Sequence, residues 1–151
     1  MEFFLISINP IDVFLWTFRK NERDVVNLYN TMSPVMQIAT GGSMLNFGYW
    51  SSEHLDPISA QENLCNLFGN LSELSTAKTV LDVGSGLSAP SKLWRDSYPD
   101  LNLYDVNINF KQLSFLKDTK NIEFLNSTST KLPFMDNSVD RVLALESAQH
   151  F

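Results

Sequence analysis

Apolar and polar positions in the second half of this chain fall into short blocks of two kinds, and their order predicts strands alternating with helices. Residues 79–83 (TVLDV) form a β-branched, apolar run with Asp82 just ahead of a glycine turn, Gly84, Ser85 and Gly86. A helix is expected over 89–98, a second strand over 102–106 (NLYDV), a short helix over 110–117 and a third strand over 122–125. Residues 139–145 (VDRVLAL) give a fourth strand, almost wholly apolar, as suits a strand buried on both faces of a parallel sheet. This alternation needs right-handed crossovers and builds an α/β, doubly wound parallel sheet.

The first half reads as helical. Residues 21–32 are polar with spaced apolar positions, among them Val25, Val26, Leu28 and Tyr29. Over 59–74, Leu64, Leu67, Phe68 and Leu71 recur at i, i+3, i+4 and i+7, which makes one face apolar. Ser59 with Glu62 three residues on predicts a capping box at the start of this helix. Thr40, Gly41, Gly42 and Ser43 between the two helices read as a flexible joint. The pattern divides the chain into an N-terminal helical cap over 1–57 and the strand-bearing part over 58–151.

The N-terminal run MEFFLISINPIDVFLWTF is rich in apolar residues, but Asn9, Pro10 and Asp12 interrupt it and no basic stretch precedes it. It is too broken for a spanning helix and unlike a secretory signal. A cap packed on the core is expected. An interfacial anchor through Phe3, Phe4, Phe14, Trp16 and Phe18 is the alternative, which an acidic polar face disfavours.

Ligands on doubly wound sheets bind outside the carboxyl ends of the strands, where the glycine turn falls. Gly84 and Gly86 permit positive φ and let the backbone approach a ligand with no Cβ in the way. Amides at the start of the next helix are expected to face an anionic group, which the helix dipole also favours. Glycine pairs occur in ordinary turns too. The strand before this one, the helix after it and Asp82 mark it as a candidate nucleotide-type cradle.

Charge and cysteine content narrow the function classes. The net charge of −6 and scattered Lys and Arg residues argue against a nucleic-acid partner, which would need a basic face. One cysteine, Cys65, rules out an intrachain disulfide and fits a reducing, cytoplasmic compartment. It lies on the apolar face of a helix and reads as a buried structural thiol. Cys65, His54 and His150 offer no metal-ligand cluster, so no metal is expected.

Three motifs in order carry a resemblance to a known family: VLDVGSG, a polar or acidic residue ending the next strand, and KLPFMDNSVDRVLALESAQHF. Together they resemble the Rossmann-like core of a class I S-adenosylmethionine-dependent methyltransferase, in its small-molecule, methyltransferase type 11-like branch. That branch carries L-P-F-x-D-x-S-x-D before the fourth strand and E-S-x-x-H after it. Here these are Leu132, Pro133, Phe134, Asp136, Ser138 and Asp140, then Glu146, Ser147 and His150. NFGYW at 46–50 resembles the segment that precedes the core.

The resemblance implies S-adenosyl-L-methionine as methyl donor and a small-molecule acceptor. Its ammonium and carboxylate would lie near Asp82, Gly84, Ser85 and Gly86. The family's acidic ribose ligand falls at Asn107, with Asp105 on the same strand face as the alternative. An amide accepts through one oxygen where a carboxylate offers two. Thr128 stands where the family often has the Asp that bonds the adenine amine. Glu146 would line the pocket, Tyr49 and Trp50 would wall it, and His150 would serve as general base for a hydroxyl acceptor.

The family's sheet has seven strands, and about four are expected here. The fourth strand would then be a bare apolar edge, of the kind autonomous proteins cover. The chain reads as the N-terminal part of a methyltransferase, completed by another chain or by self-association. Sterol, tocopherol, phosphoethanolamine and polyketide-type acceptors all occur around similar motifs. A non-catalytic donor-binding or assembly module is the alternative reading. A nicotinamide dinucleotide-binding domain shares the glycine turn but has no reason to carry the L-P-F and E-S-x-x-H segments.

Overall fold

The structure is a computed structural model and describes residues 10–15, 18, 21–117 and 119–151. Four parallel strands, β1 (Thr79–Val83), β2 (Asn102–Asn107), β3 (Ile122–Asn126) and β4 (Arg141–Leu143), form one sheet in the order β3-β2-β1-β4. Among the described residues, five α-helices accompany them: α1 (Pro10–Leu15), α2 (Glu22–Thr40), α3 (Pro57–Leu71), α4 (Ala89–Ser97) and α5 (Phe110–Ser114). The predicted strand order of events along the chain is therefore present, as an α/β parallel sheet. No helix among the described residues is long and apolar enough to cross a membrane. Residues 1–9, on which much of the cap and anchor readings rests, lie outside the described residues; Phe14 and Phe18 are exposed, with ring centroids 5.6 Å apart.

Alternation along the strands sorts the core into two faces. Val80 and Leu103 join Leu74, Trp94, Leu101, Ile122 and Leu143 on the face covered by α3 and α4. Trp94 is the largest buried side chain there. Its Nε1 donates to the Cys65 carbonyl at 2.9 Å and its ring stacks on Phe68. Truncating so buried an indole costs about 3–5 kcal/mol. Leu81, Val83 and Val106 face the other way, under Leu132, Phe134 and Val139.

The L-P-F-x-D-x-S-x-D stretch is thus structural. Phe134 meets Tyr104 edge to face at 5.3 Å. Asp140 Oδ2 accepts from the Lys78 and Thr79 amides at 2.8 and 2.9 Å, clamping the end of β1 farthest from the glycine turn. Those amide bonds hold its pKa below the ordinary carboxylate value.

Several boundaries differ from the sequence reading. Helix α2 runs on to Thr40 through Pro34, where the pattern predicted an end at 32. The proposed joint is its C-cap: Gly41 is left-handed at φ 75° and its amide donates to Gln37 O. Helix α3 begins after Asp56, whose side chain accepts from the Ser59 amide, so Asp56 is the cap and the Ser59–Glu62 capping box is not formed. It ends at Leu71, followed by a 3-10 turn at Leu74–Thr76. Helix α4 stops at Ser97 and α5 at Ser114. Strand β4 spans only three residues and is an edge strand, so Val142 is 59% exposed instead of buried on both faces.

Candidate functional site

The carboxyl ends of β1, β2, β3 and β4 open into one cleft of about 1000 Å³, mouth included. Its floor is the turn after β1. Gly84 (φ 82°) and Gly86 (φ 57°) are left-handed, and a Cβ on Gly84 would stand 2.5 Å from Ser147 Cβ. The turn therefore needs glycine for conformation and for space. The amides of Gly84 and Ser85 both donate to Val106 O, at 2.8 and 3.2 Å, and that of Ser88 donates to Ser85 O. These three are committed within the protein.

Ser85 Oγ is the exception. It is buried and, among the described buried side-chain nitrogens and oxygens, is the one without a hydrogen-bond partner. An unsatisfied buried hydroxyl costs about 1–3 kcal/mol. Ser85 lines the cleft, so a polar ligand seated on the turn would relieve that cost.

The cleft brings together Asp82, Gly84, Ser85, Gly86, Asn107, Thr128, Glu146 and His150. Three expected residues stand outside it, among them Trp50, whose Nε1 donates to Phe47 O at 2.9 Å. Tyr49 is half exposed, its backbone tied to α3 through Ala60 O and Asn63 Nδ2. Gly48 crosses so close to Ala60 that an added Cβ would lie 2.8 Å from its carbonyl carbon, which swings the following Tyr49 onto α3. Asp105 is fully buried beneath α4, where Ser88 Oγ and Ser91 Oγ donate to its two oxygens. Two-residue periodicity put Asp105 and Asn107 on one face correctly, but α4 covers the deeper position.

Asn107 reaches the cleft with its amide largely committed. Nδ2 donates to Gly86 O at 2.9 Å and to Gln112 Oε1 at 2.8 Å, while Oδ1 accepts from the Asn109 amide at 2.9 Å. Glu146, left-handed at φ 49°, accepts from the Phe47 amide at 2.8 Å and fastens the 46–50 segment to the end of β4. Asp82 is buried, and that burial pushes its pKa well above the ordinary value, with the Asp105 charge adding to the effect.

Sequence reasoning missed the contribution of α2. Glu22, Val25, Val26 and Tyr29 line the cleft. Tyr29 Oη and His150 Nε2 are 2.9 Å apart, with the rings edge to face. Asn109 Nδ2 donates to Asn30 Oδ1 at 3.0 Å and Gln112 Nε2 to Ser33 Oγ at 2.7 Å. Glu22, Tyr29, Asn30 and Ser33 follow i, i+7, i+8 and i+11, a helical stripe that was legible as polar but carried no family motif. The described residues contain no group of three His, Cys, Asp or Glu arranged to hold a metal.

A parallel sheet with a ligand cleft at a glycine turn defines a nucleotide-binding type of α/β protein. Residues 81–151 match the family described as "Methyltransferase domain". Erythromycin 3''-O-methyltransferase of Saccharopolyspora erythraea is 25% identical over 144 residues, covering 91% of this chain and 47% of that protein. Methyltransferase GfsG of Streptomyces halstedii is 26% identical over 137 residues, 85% of this chain and 49% of its own. Among solved structures, the [4+2]-cyclase SpnF superposes with a TM-score of 0.73 at 20% identity, over 82% of this chain and 48% of its own. The chain spans about half the length of the curated relatives it matches. Residues 81–151 are thus similar to a methyltransferase domain, carried on the parallel sheet and glycine turn described above.

Proposed function

We propose that this chain forms the donor-binding part of a methyltransferase acting on a small-molecule acceptor, with residues 22–57 as a cap over the cleft. One observation carries the donor assignment. The cleft is lined by the carboxylates of Glu22 and Glu146, and by no lysine or arginine among the described residues. A ligand with a sulfonium and an ammonium suits those walls, whereas the two phosphates of a dinucleotide would meet carboxylates with no basic side chain between them.

When bound, S-adenosylmethionine supplies an electrophilic methyl group. The chain's residues have the task of binding, orienting and excluding water, and positioning of this kind is worth about 7–11 kcal/mol of barrier. Gly84 and Gly86 let the turn approach the ligand, and Ser85 Oγ offers the unused hydroxyl. Asn107 offers only the remaining lone pair of Oδ1 to a ribose hydroxyl. His150 is the general base we assign for a hydroxyl acceptor, with its ring held by Tyr29 through Nε2. The erythromycin relative, named for transfer to an oxygen, favours a hydroxyl acceptor here too.

Calorimetric titration with S-adenosylmethionine, with NAD as control, tests the reading. Binding of the methyl donor alone, weakened in Ser85→Ala, is the expected result. No binding, or equal binding of NAD, overturns it. A second reading, a non-catalytic donor-binding module completed by another chain, draws on the exposed β4 edge. Donor binding without methyl transfer to any of a panel of hydroxylated acceptors would favour that reading.

A further inference from the structure

We infer that Glu22 is the acceptor for the exocyclic amine of the bound nucleoside, and that Thr128 is the residue that orients it; this rests on the donor assignment above. Glu22 opens α2, whereas Thr128 follows β3, 106 residues later. The fold nevertheless brings them into contact, with Thr128 Oγ1 donating its hydrogen to Glu22 Oε1. Both line the cleft at its β2–β3 end, where Asn126 Nδ2 ties the Ile108 carbonyl to the end of β3.

The hydroxyls of Ser127 and Thr128 are committed. The hydrogen of Thr128 goes to Glu22, and its oxygen takes up the Thr130 amide at 3.4 Å and lies 3.1 Å from Thr130 Oγ1. Ser127 Oγ donates to Lys131 O at 2.7 Å. Glu22 is the carboxylate that lines the cleft here, and one of its oxygens is held by a neutral hydroxyl, which leaves the second to accept from a ligand. Val25 and Val26, one turn further along α2, and Ile108 give the apolar walls that a flat heteroaromatic base requires. The chemistry selected is that of a 6-aminopurine: an N–H donor at the rim, aimed at a charged acceptor.

This assignment moves the base contact from the strand loop to the cap. Thr128 is then a positioning residue. A purine with a carbonyl at the same place would set oxygen against carboxylate and be rejected.

The test is calorimetric titration of the full chain with S-adenosylhomocysteine and S-inosylhomocysteine, which differ at that group. The wild type is expected to prefer the adenosyl compound by about tenfold or more, the range of a hydrogen bond to a charged group. In Glu22→Gln the side-chain amide can accept from an amine or donate to a carbonyl, so the preference should shrink to about threefold or less. Thr128→Val should weaken the adenosyl compound while keeping the preference. A full preference retained in Glu22→Gln overturns the inference, as does loss of preference in Thr128→Val alone, which would place the contact on Thr128. A wild type that binds neither compound overturns the donor assignment itself. Glu22 is exposed, and an unchanged melting temperature in Glu22→Gln confirms that the comparison is made on a folded chain.

Discussion

Asp82 and Asp105 stand opposite each other as register partners on β1 and β2, and Ser91 Oγ lies between them, 3.4 Å from Asp82 Oδ2 and 2.5 Å from Asp105 Oδ1. Both carboxyls are buried. Two negative charges this close and this dry cannot coexist cheaply, so the folded chain holds protons that the unfolded chain releases. Burial raises Asp105 to about 6, against the opposing effects of hydrogen bonds from Ser88 and Ser91 and the charge of Lys92.

The sign of the pH dependence follows. Both folded pKa values lie above the unfolded value of 3.8, so each group contributes stability that is fully present below pH 4 and falls as pH rises, the Asp105 share being lost through about 6. Asp140 and Asp56, held below 3.8, act in the opposite sense and at lower pH. Asp105→Asn should lessen the fall in stability between pH 4 and 6 by on the order of 2 kcal/mol, leaving the share that Asp82 contributes. Urea unfolding at pH 4, 5, 6 and 7 checks this, and parallel curves for the two proteins would refute it.

Gly84→Ala should be severely destabilising. The new Cβ would sit 2.5 Å from Ser147 Cβ at a backbone φ of 82°, so space and conformation fail together. A loss of more than about 2 kcal/mol is expected. Ser147→Gly in the same chain should recover part of it by removing the clash but not the strain. Gly86→Ala meets only the tip of Leu45 at 3.2 Å and should cost less.

Asn107→Asp restores the acidic residue type that the family resemblance implies, yet it should not improve donor binding. The carboxylate would face Gly86 O and Gln112 Oε1 in place of two N–H donors. A destabilisation of about 1–3 kcal/mol follows from unpairing those buried acceptors. Chemical denaturation beside donor titration separates the two effects; tighter binding at unchanged stability would contradict the argument.

Tyr29→Phe removes the hydroxyl that joins α2 to His150. Helix α2 meets the cleft through polar contacts of Tyr29, Asn30 and Ser33, and each such bond contributes about 1 kcal/mol. Hydrogen exchange of the α2 amides should accelerate by about fivefold while β1 and β2 stay protected. Uniform acceleration across the chain would mean that α2 is not a separable cap.

Cys65 should resist modification in the folded state. It is fully buried and burial pushes its thiol up to about 12, despite a hydrogen bond from Asn46. A disulfide reagent at pH 8 should label it only after unfolding.

The parallel sheet, the glycine turn and the buried thiol were legible in the sequence because each rests on a local pattern. Strand alternation over 79–83 and 102–107, the G-x-G spacing and the apolar face around Cys65 need no distant partner to be read. Boundaries were less legible where a side chain competed with the pattern. Asp56 took the cap from Ser59, and α2 ran through Pro34 because Tyr29, Asn30 and Ser33 are held by other elements.

The site divides along the same line. Sequence alone determined that Asp82, Gly84, Ser85 and Gly86 form the floor, since four adjacent residues on a strand and its turn have little freedom to separate. Tertiary structure alone decided that Asp105 is sealed under α4 while Asn107 reaches the cleft, and that Tyr49 is drawn onto α3. It also decided that Glu22 meets Thr128 and Tyr29 meets His150 across more than a hundred residues. No local pattern encodes those pairs, because they exist only once chain folding has brought α2 to the carboxyl ends of the strands.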